Sequence, residues 1–224
     1  MTKYIPIFLF VAACAVNLAG HIWNPALAAV VKPALMPLLS VSVLSCALDM
    51  GVERRPLALL VAAQLFGCVG DTFLLSDQFA FFASGIGAFL IGHLFYITLF
   101  GRHSLRGIRP VGWLLGISIM VGLVAVLVYI LKIEGALLAP MAVYGLVLTL
   151  LIFSTLCGLL RFRQKCTWAI LLAGSLLFTF SDSLIAAQTF GVLDFSLQGF
   201  VIMATYLVAQ SLLAMGGLRL CAKR

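Results

Sequence analysis

Three ionisable side chains stand where the sequence is otherwise apolar. They are Lys32 in Val30-Val31-Lys32-Pro33, Asp71 in Cys68-Val69-Gly70-Asp71-Thr72-Phe73 and Asp182 in Phe180-Ser181-Asp182-Ser183-Leu184. Two carboxyls in unlike surroundings can divide acid and base roles, one giving a proton while the other stays ionised to steady a cation or activate water. A lysine adds a point charge that can neutralise a carboxylate or hold a phosphate. Helical spacing gathers further polar residues around them. Gln64, Cys68 and Asp71 fall four and three apart, and so do Ser175, Thr179 and Asp182. His93 shares a face with Tyr96, and Tyr206 with Gln210. Each also has a purely structural reading. Lys32 could only pair with Asp71 or Asp182 and fix helix register. His93 could only bond a backbone or hydroxyl group, and Tyr96 and Tyr206 could pack with satisfied hydroxyls. Asp77 and Asp194 fall in loops and are expected to be solvated.

Other chemical signatures are weaker. Gly85-x-Gly87 followed by Gly92 imitates part of a dinucleotide fingerprint, but no strand precedes it, and close helix packing accounts for it better. There is no Gly-x-Ser-x-Gly elbow for a serine hydrolase. The six cysteines (14, 46, 68, 157, 166 and 221) form no Cys-x-x-Cys pair and read as small packing residues. His21 and His103 fall in connectors, which leaves His93 as the one intramembrane imidazole. No metal and no cofactor is expected, although Asp71, His93 and Asp182 stay open as a ligand set.

The elements that must position these residues follow from composition. Of 224 residues 64% are apolar and 9% charged, which excludes a soluble enzyme, a disordered chain and a nucleic-acid-binding module. Eight segments approach the ~20 apolar residues of a membrane-spanning helix: Ile5 to Ala19, Pro25 to Leu48, Leu57 to Leu75, Phe81 to Phe100, Val111 to Leu131, Leu138 to Leu160, Trp168 to Ala187 and Leu197 to Leu218. The alternation of a membrane β-barrel is absent. The fold expected is all-α: a polytopic membrane protein whose eight transmembrane helices form one bundle, with residues 1–224 a single domain. A weak repeat of four plus four spans (1–100 and 111–218) is suggested by the parallel between residues 69–75 and 180–186. With eight spans, Lys3, Arg54, Arg55, Arg102, Arg106, Arg109, Arg161, Arg163, Lys165, Arg219, Lys223 and Arg224 fall on one side, and Lys32 and Lys132 on the other. This bias places both termini in the cytoplasm and suggests a bacterial inner membrane. A role of the basic face in binding anionic lipid is a second reading. Ala26-Leu27-Ala28 imitates a signal-peptide cleavage site, but Asn17, His21, Trp23 and Asn24 interrupt the run before it, and no cleavage is expected.

Depth ties the ionisable residues together. At 1.5 Å per residue, Asp71, Asp182 and Lys32 lie roughly 6, 8 and 10 Å below the same, non-cytoplasmic edge, with His93 roughly 18 Å from it. Charged groups inside a membrane are functional candidates by default. The arrangement describes a polar pocket open to the non-cytoplasmic side and narrowing toward His93, with Phe, Leu and Ala walls suited to an alkyl chain.

At these residues the chain resembles the YhhN family of membrane proteins, whose characterised members are lysoplasmalogenases. The resemblance runs through Lys32-Pro33, Gly70-Asp71, Gly87-Ala88-Phe89, His93-x-x-Tyr96-x-x-x-Phe100, Ser181-Asp182 and Tyr206-Leu207-Val208-Ala209-Gln210. Residues 102–163 contribute little to it. It implies a functional pair at Asp71 and Asp182. Retention of the later aspartate, which some bacterial relatives lack, favours an enzyme. The implied partners are membrane lipid and a lysophospholipid substrate with an alkenyl chain, with no nucleic acid. The implied reaction is hydrolysis of the vinyl ether bond to a fatty aldehyde and glycerophosphoethanolamine or glycerophosphocholine. Asp71 and Asp182 would be catalytic, in roles the sequence does not assign, and Lys32, His93, Tyr96, Ser181, Tyr206 and Gln210 would bind substrate. Two other classes remain: a proton- or cation-coupled small transporter or lipid-binding protein, and a metal-dependent lipid amidase or esterase. Pro33, Pro37 and Pro140 are the only candidates for the broken helices a transporter would favour.

Overall fold

The computed structural model describes residues 4–76 and 78–222. Among them there is no strand, and eight helices are long and apolar enough to cross a membrane. They are α1 (Ile5–Trp23), α2 (Pro25–Met50), α3 (Arg54–Phe73), α4 (Phe79–Ser104), α5 (Pro110–Ile130), α6 (Leu138–Arg161), α7 (Lys165–Thr189) and α8 (Gln198–Cys221). Lys3, Lys223 and Arg224, counted toward the basic side, and Asp77, read as a loop residue, lie outside the described residues. Asp194 is exposed between α7 and α8.

Local chemistry sets the boundaries. Asn24 separates α1 from α2, its side chain accepting from the Leu27 N–H while Pro25 occupies the first turn. The two helices then close tightly. A Cβ on Gly20 would stand 2.7 Å from the Ala28 backbone nitrogen, and the Asn17 amide donates to the Ala28 carbonyl at 2.9 Å. Gly51, in the left-handed conformation at φ 61°, ends α2. Pro33 and Pro37 both lie inside α2, which continues through them. Pro37 has no N–H, so the Pro33 carbonyl loses its helical donor. The Cys68 thiol of α3 donates to that carbonyl at 3.2 Å. Cys68 is therefore more than the packing residue its type suggested, because it ties α2 to α3 one turn before Asp71.

Consecutive helices pack as neighbours, except that α5 lies chiefly on α6. Contacts of α4 with α6, and of α8 with α1, α2 and α3, close the bundle. Apolar residues such as Leu35, Leu60, Leu99, Leu151, Leu171 and Leu213 fill the centre. The glycine pattern of α4 divides in two. A Cβ at Gly92 would meet the Ala63 carbonyl at 3.0 Å and one at Gly85 the Gly70 carbonyl at 3.3 Å, whereas a Cβ at Gly87 would meet nothing within 4 Å beyond its own helix among the described residues. Close packing against α3 thus explains Gly85 and Gly92 but not Gly87. The helices also run past the apolar segments. His21 sits in the last turn of α1 and His103 in the last turn of α4, not in connectors, because the final backbone bonds persist there, as in Leu105 N–H to Gly101 at 3.0 Å.

Candidate active site

The ends of α1, α3 and α7 meet the starts of α2, α4 and α8 around one cavity. Asp71, in the last turn of α3, is buried beside it. Its Oδ2 accepts from the Tyr206 hydroxyl at 2.7 Å, and its Oδ1 stands 3.5 Å from Lys32 Nζ. The chain of contacts continues through α8. Tyr206 Oη accepts weakly from Gln210 Nε2 at 3.5 Å, and Gln210 Oε1 accepts from the Tyr96 hydroxyl at 2.7 Å. One network therefore joins Lys32, Asp71, Tyr206, Gln210 and Tyr96, carried on α2, α3, α8 and α4.

Asp182, on α7, has a different partner. The Tyr144 hydroxyl of α6 donates to its Oδ2, and its Oδ1 is buried with no hydrogen-bond partner among the described residues. Asp71 and Lys32 lie within electrostatic range of Asp182. Between the two tyrosine–aspartate pairs stands a block of rings. His93 meets Phe178 edge-on at 4.4 Å between centroids and Tyr144 at 5.8 Å, and Phe178 meets Tyr206 at 5.4 Å. His93 Nδ1 lies 2.7 Å from the Phe89 carbonyl. A carbonyl only accepts, so the proton sits on Nδ1 and Nε2 is a free acceptor.

The cavity has a volume of about 530 Å³ and is lined by Lys32, His21, Leu74, Phe79, Phe82 and Met203, among others. A narrow cleft shares Leu74, Phe82 and Ile185 with it and ends at Tyr144 and Asp182 between apolar walls. The open space reaches Asp182 and not His93.

Of the residues singled out in the sequence, Lys32, Asp71, Tyr96, Tyr206 and Gln210 are joined by direct contacts, and His93 and Asp182 stand close by. Ser181 is not part of this network: its hydroxyl donates to the Ile202 carbonyl at 2.9 Å and ties α7 to α8. Gln64 bonds Ser40 at 2.9 Å instead of Asp71. Ser175 likewise bonds Thr155 at 2.9 Å. Tyr144 and His21 were missed. Tyr144 lies six residues into its apolar segment, at a depth of roughly 9 Å, so the depth rule applied to hydroxyls as well as charges would have found it. Among the described residues no three His, Cys, Asp or Glu side chains gather as a metal would need. One oxygen of each carboxyl, Oδ2, accepts from a tyrosine hydroxyl instead.

The YhhN family model matches residues 27–217, a stretch that includes both tyrosine–aspartate pairs. Lysoplasmalogenase TMEM86B of Mus musculus is 32% identical over 164 residues, covering 72% of this chain and 64% of its own length. Lysoplasmalogenase TMEM86B of Homo sapiens is 34% identical over 161 residues, 72% of this chain and 64% of its own. Lysoplasmalogenase TMEM86A of Bos taurus is 29% identical over 155 residues, 67% and 61% respectively. The chain thus spans less than two thirds of the length of these relatives. No solved structure matches it.

Proposed function

We propose a function from one premise: the chain belongs to the YhhN family. It is an integral membrane protein that hydrolyses the vinyl ether bond of a lysoplasmalogen, releasing a fatty aldehyde and a glycerophosphoethanolamine or glycerophosphocholine. The observation that carries this reading is the pair of buried aspartates, each held by a tyrosine but otherwise in unlike surroundings, beside an apolar cleft that leaves a larger cavity.

The surroundings of the two aspartates support a division of roles. Asp71 has Lys32 as counter-charge and is the ionised member. Asp182 receives the Tyr144 hydrogen at Oδ2, which leaves its own proton on Oδ1, the unpartnered oxygen of the residue that lines the cleft. Asp182 gives that proton to the distal alkenyl carbon. The double-bond electrons form the new C–H bond and leave an oxocarbenium ion at the carbon bonded to oxygen. Asp71 steadies the cation through space, and the Asp182 carboxylate takes a proton from the water that adds to it. The resulting hemiacetal collapses: its hydroxyl loses a proton, the bond to the glyceryl oxygen breaks, and that oxygen takes a proton. One water is consumed, in a division of labour like that of paired carboxyls in glycoside hydrolysis. Lys32, which lines the cavity, holds the substrate phosphate as a point charge. No cofactor is required. Both termini lie in the cytoplasm and the cavity opens to the other side, consistent with the distribution of basic residues.

The test is turnover by purified protein of a lysoplasmalogen, its saturated ether analogue and the ester lysophospholipid, each with and without chelator. Aldehyde from the vinyl ether alone, insensitive to chelator, is expected. Ester cleavage or loss of activity to chelator points to a metal-dependent lipase or amidase, and absence of turnover points to a transporter.

A further inference from the structure

The opposite end of the bundle holds a second cavity, of about 400 Å³, lined by His103, Arg161, Arg163, Phe162, Trp168 and Leu220, among others. It lies where the ends of α4, α6 and α8 meet the start of α7. We propose that it binds the phosphate headgroup of an anionic membrane phospholipid. This site is separate from the aspartate pairs and does not depend on what they catalyse.

Charge supports the proposal first. Among the described residues no acidic side chain lines the cavity, and Arg102 and Arg106 lie within electrostatic range of His103. Some basic groups near a helix end merely satisfy its last carbonyls. Two do so here: Arg161 Nη1 donates to the Ser104 carbonyl at 2.6 Å, and Lys165 Nζ donates to the carbonyls of Leu159 and Leu160. The remaining positive charge is therefore not used up by the C-terminal ends of α4 and α6. No described residue pairs with the Arg163 guanidinium, which is exposed at the rim. A planar guanidinium is suited to phosphate oxygens.

The apolar lining says what kind of phosphate. Trp168 is 1% exposed and stacks with Phe162 at 5.7 Å between centroids. Trp168 thus backs Phe162, which is 37% exposed and with Leu220 offers surface to the glycerol and first acyl carbons of a lipid, which an inorganic anion would not use. The neighbouring Leu160 is 69% exposed on the outer face, so the cavity lies at the level where headgroups meet the apolar surface. Basic pockets between helix ends take anionic headgroups for these reasons.

The test is thermal unfolding of the full chain in neutral detergent, titrated with short-chain phosphatidylglycerol, phosphatidylcholine or inorganic phosphate. A ligand that binds only the folded state raises its Tm with concentration. Phosphatidylglycerol is expected to raise the Tm saturably and phosphatidylcholine not to. Arg163→Gln and His103→Gln should each weaken the apparent affinity about tenfold, as loss of a hydrogen bond to the charged phosphate would. Arg109→Gln, exposed at the same end but outside the cavity, should leave it unchanged. An equal loss in Arg109→Gln, or retention of the effect in both cavity variants, overturns the site in favour of diffuse surface charge. An equal rise with inorganic phosphate overturns the lipid assignment.

Discussion

At the scale of single residues, the two aspartates are distinguished by their neighbours. Tyr144 donates to one oxygen of Asp182 and leaves the other free, while Asp71 has both a hydroxyl and an ammonium. Asp182→Asn and Asp71→Asn should each lower aldehyde release by at least about a hundredfold, the range expected for loss of a positioned acid or counter-charge, with the helical circular dichroism signal unchanged. Near-normal turnover in both would remove the acid–base mechanism. Tyr144→Phe keeps the ring packed on His93 but deletes the donor to a carboxyl. As Asp182 gives up its proton it becomes a carboxylate, and a hydrogen bond to a charged group is worth ~1.5–3 kcal/mol, so kcat should fall roughly tenfold or more while KM stays near wild type. A Tyr144→Phe protein with unchanged kcat would make the tyrosine a packing residue only. The proposed mechanism gives Lys32 two functions, and a double-mutant cycle isolates its pairing with Asp71. Lys32→Ala alone leaves a buried carboxylate without its partner, a change that costs ~3–5 kcal/mol for buried pairs. Adding Asp71→Asn should recover part of that stability. Additive losses in Tm would mean that the 3.5 Å approach carries no coupling.

At the scale of helices, the site is held in place by small residues and redirected hydrogen bonds. Gly70 precedes Asp71, and a Cβ there would stand 2.8 Å from the Phe89 ring, which in turn packs edge-on against Phe178 and Tyr206. Gly70→Ala must therefore displace the ring block or the end of α3. It should cost ~1–3 kcal/mol, as over-packing does, and lower turnover as well. Gly87→Ala is the matched control. Its Cβ would meet nothing within 4 Å, and replacing glycine by alanine in a helix interior gains up to ~1 kcal/mol of propensity. Thermal unfolding in detergent should therefore move in opposite directions for the two variants, and a shared direction would contradict the packing described. The same scale shows what could be read from sequence. Helix number and span centres followed from apolar run length. Lys32, Asp71 and Asp182 stood out because a charge in an apolar run is conspicuous. Tyr144 did not, since a tyrosine is ordinary in a membrane helix and its partner is 38 residues away. Ser181 has the right position and the wrong bond, because hydroxyl rotation and the nearest carbonyl, not helical phase, decide where a serine donates. The bond from Cys68 to the Pro33 carbonyl likewise depends on which turn of α3 faces α2, a relation that exists only after packing.

At the scale of the whole molecule, the two cavities lie at opposite ends of one bundle, and the distribution of basic residues sets an expectation for which side each end faces. Arg102, Arg106, Arg161, Arg163 and Lys165 cluster around the second cavity, while Lys32 lines the first. On the positive-inside rule the aspartate end is expected to face away from the cytoplasm; the proposed substrate would then enter from the non-cytoplasmic leaflet, and the proposed anionic-lipid site would sit in the cytoplasmic one. Two exposed positions test this without reference to activity. Phe79, at the mouth of the first cavity, is 61% exposed, and the native Cys166, in the first turn of α7, is exposed at the other end. In sealed cells, a membrane-impermeant maleimide should label Phe79→Cys in a Cys166→Ser background and leave the native Cys166 unlabelled. In inside-out vesicles the pattern should reverse. Labelling of Cys166 from outside would invert the bundle and put the hydrolytic cavity in the cytoplasmic leaflet. The basic residues would then need an explanation other than topology, and anionic-lipid binding at the second cavity would have to act in the outer leaflet.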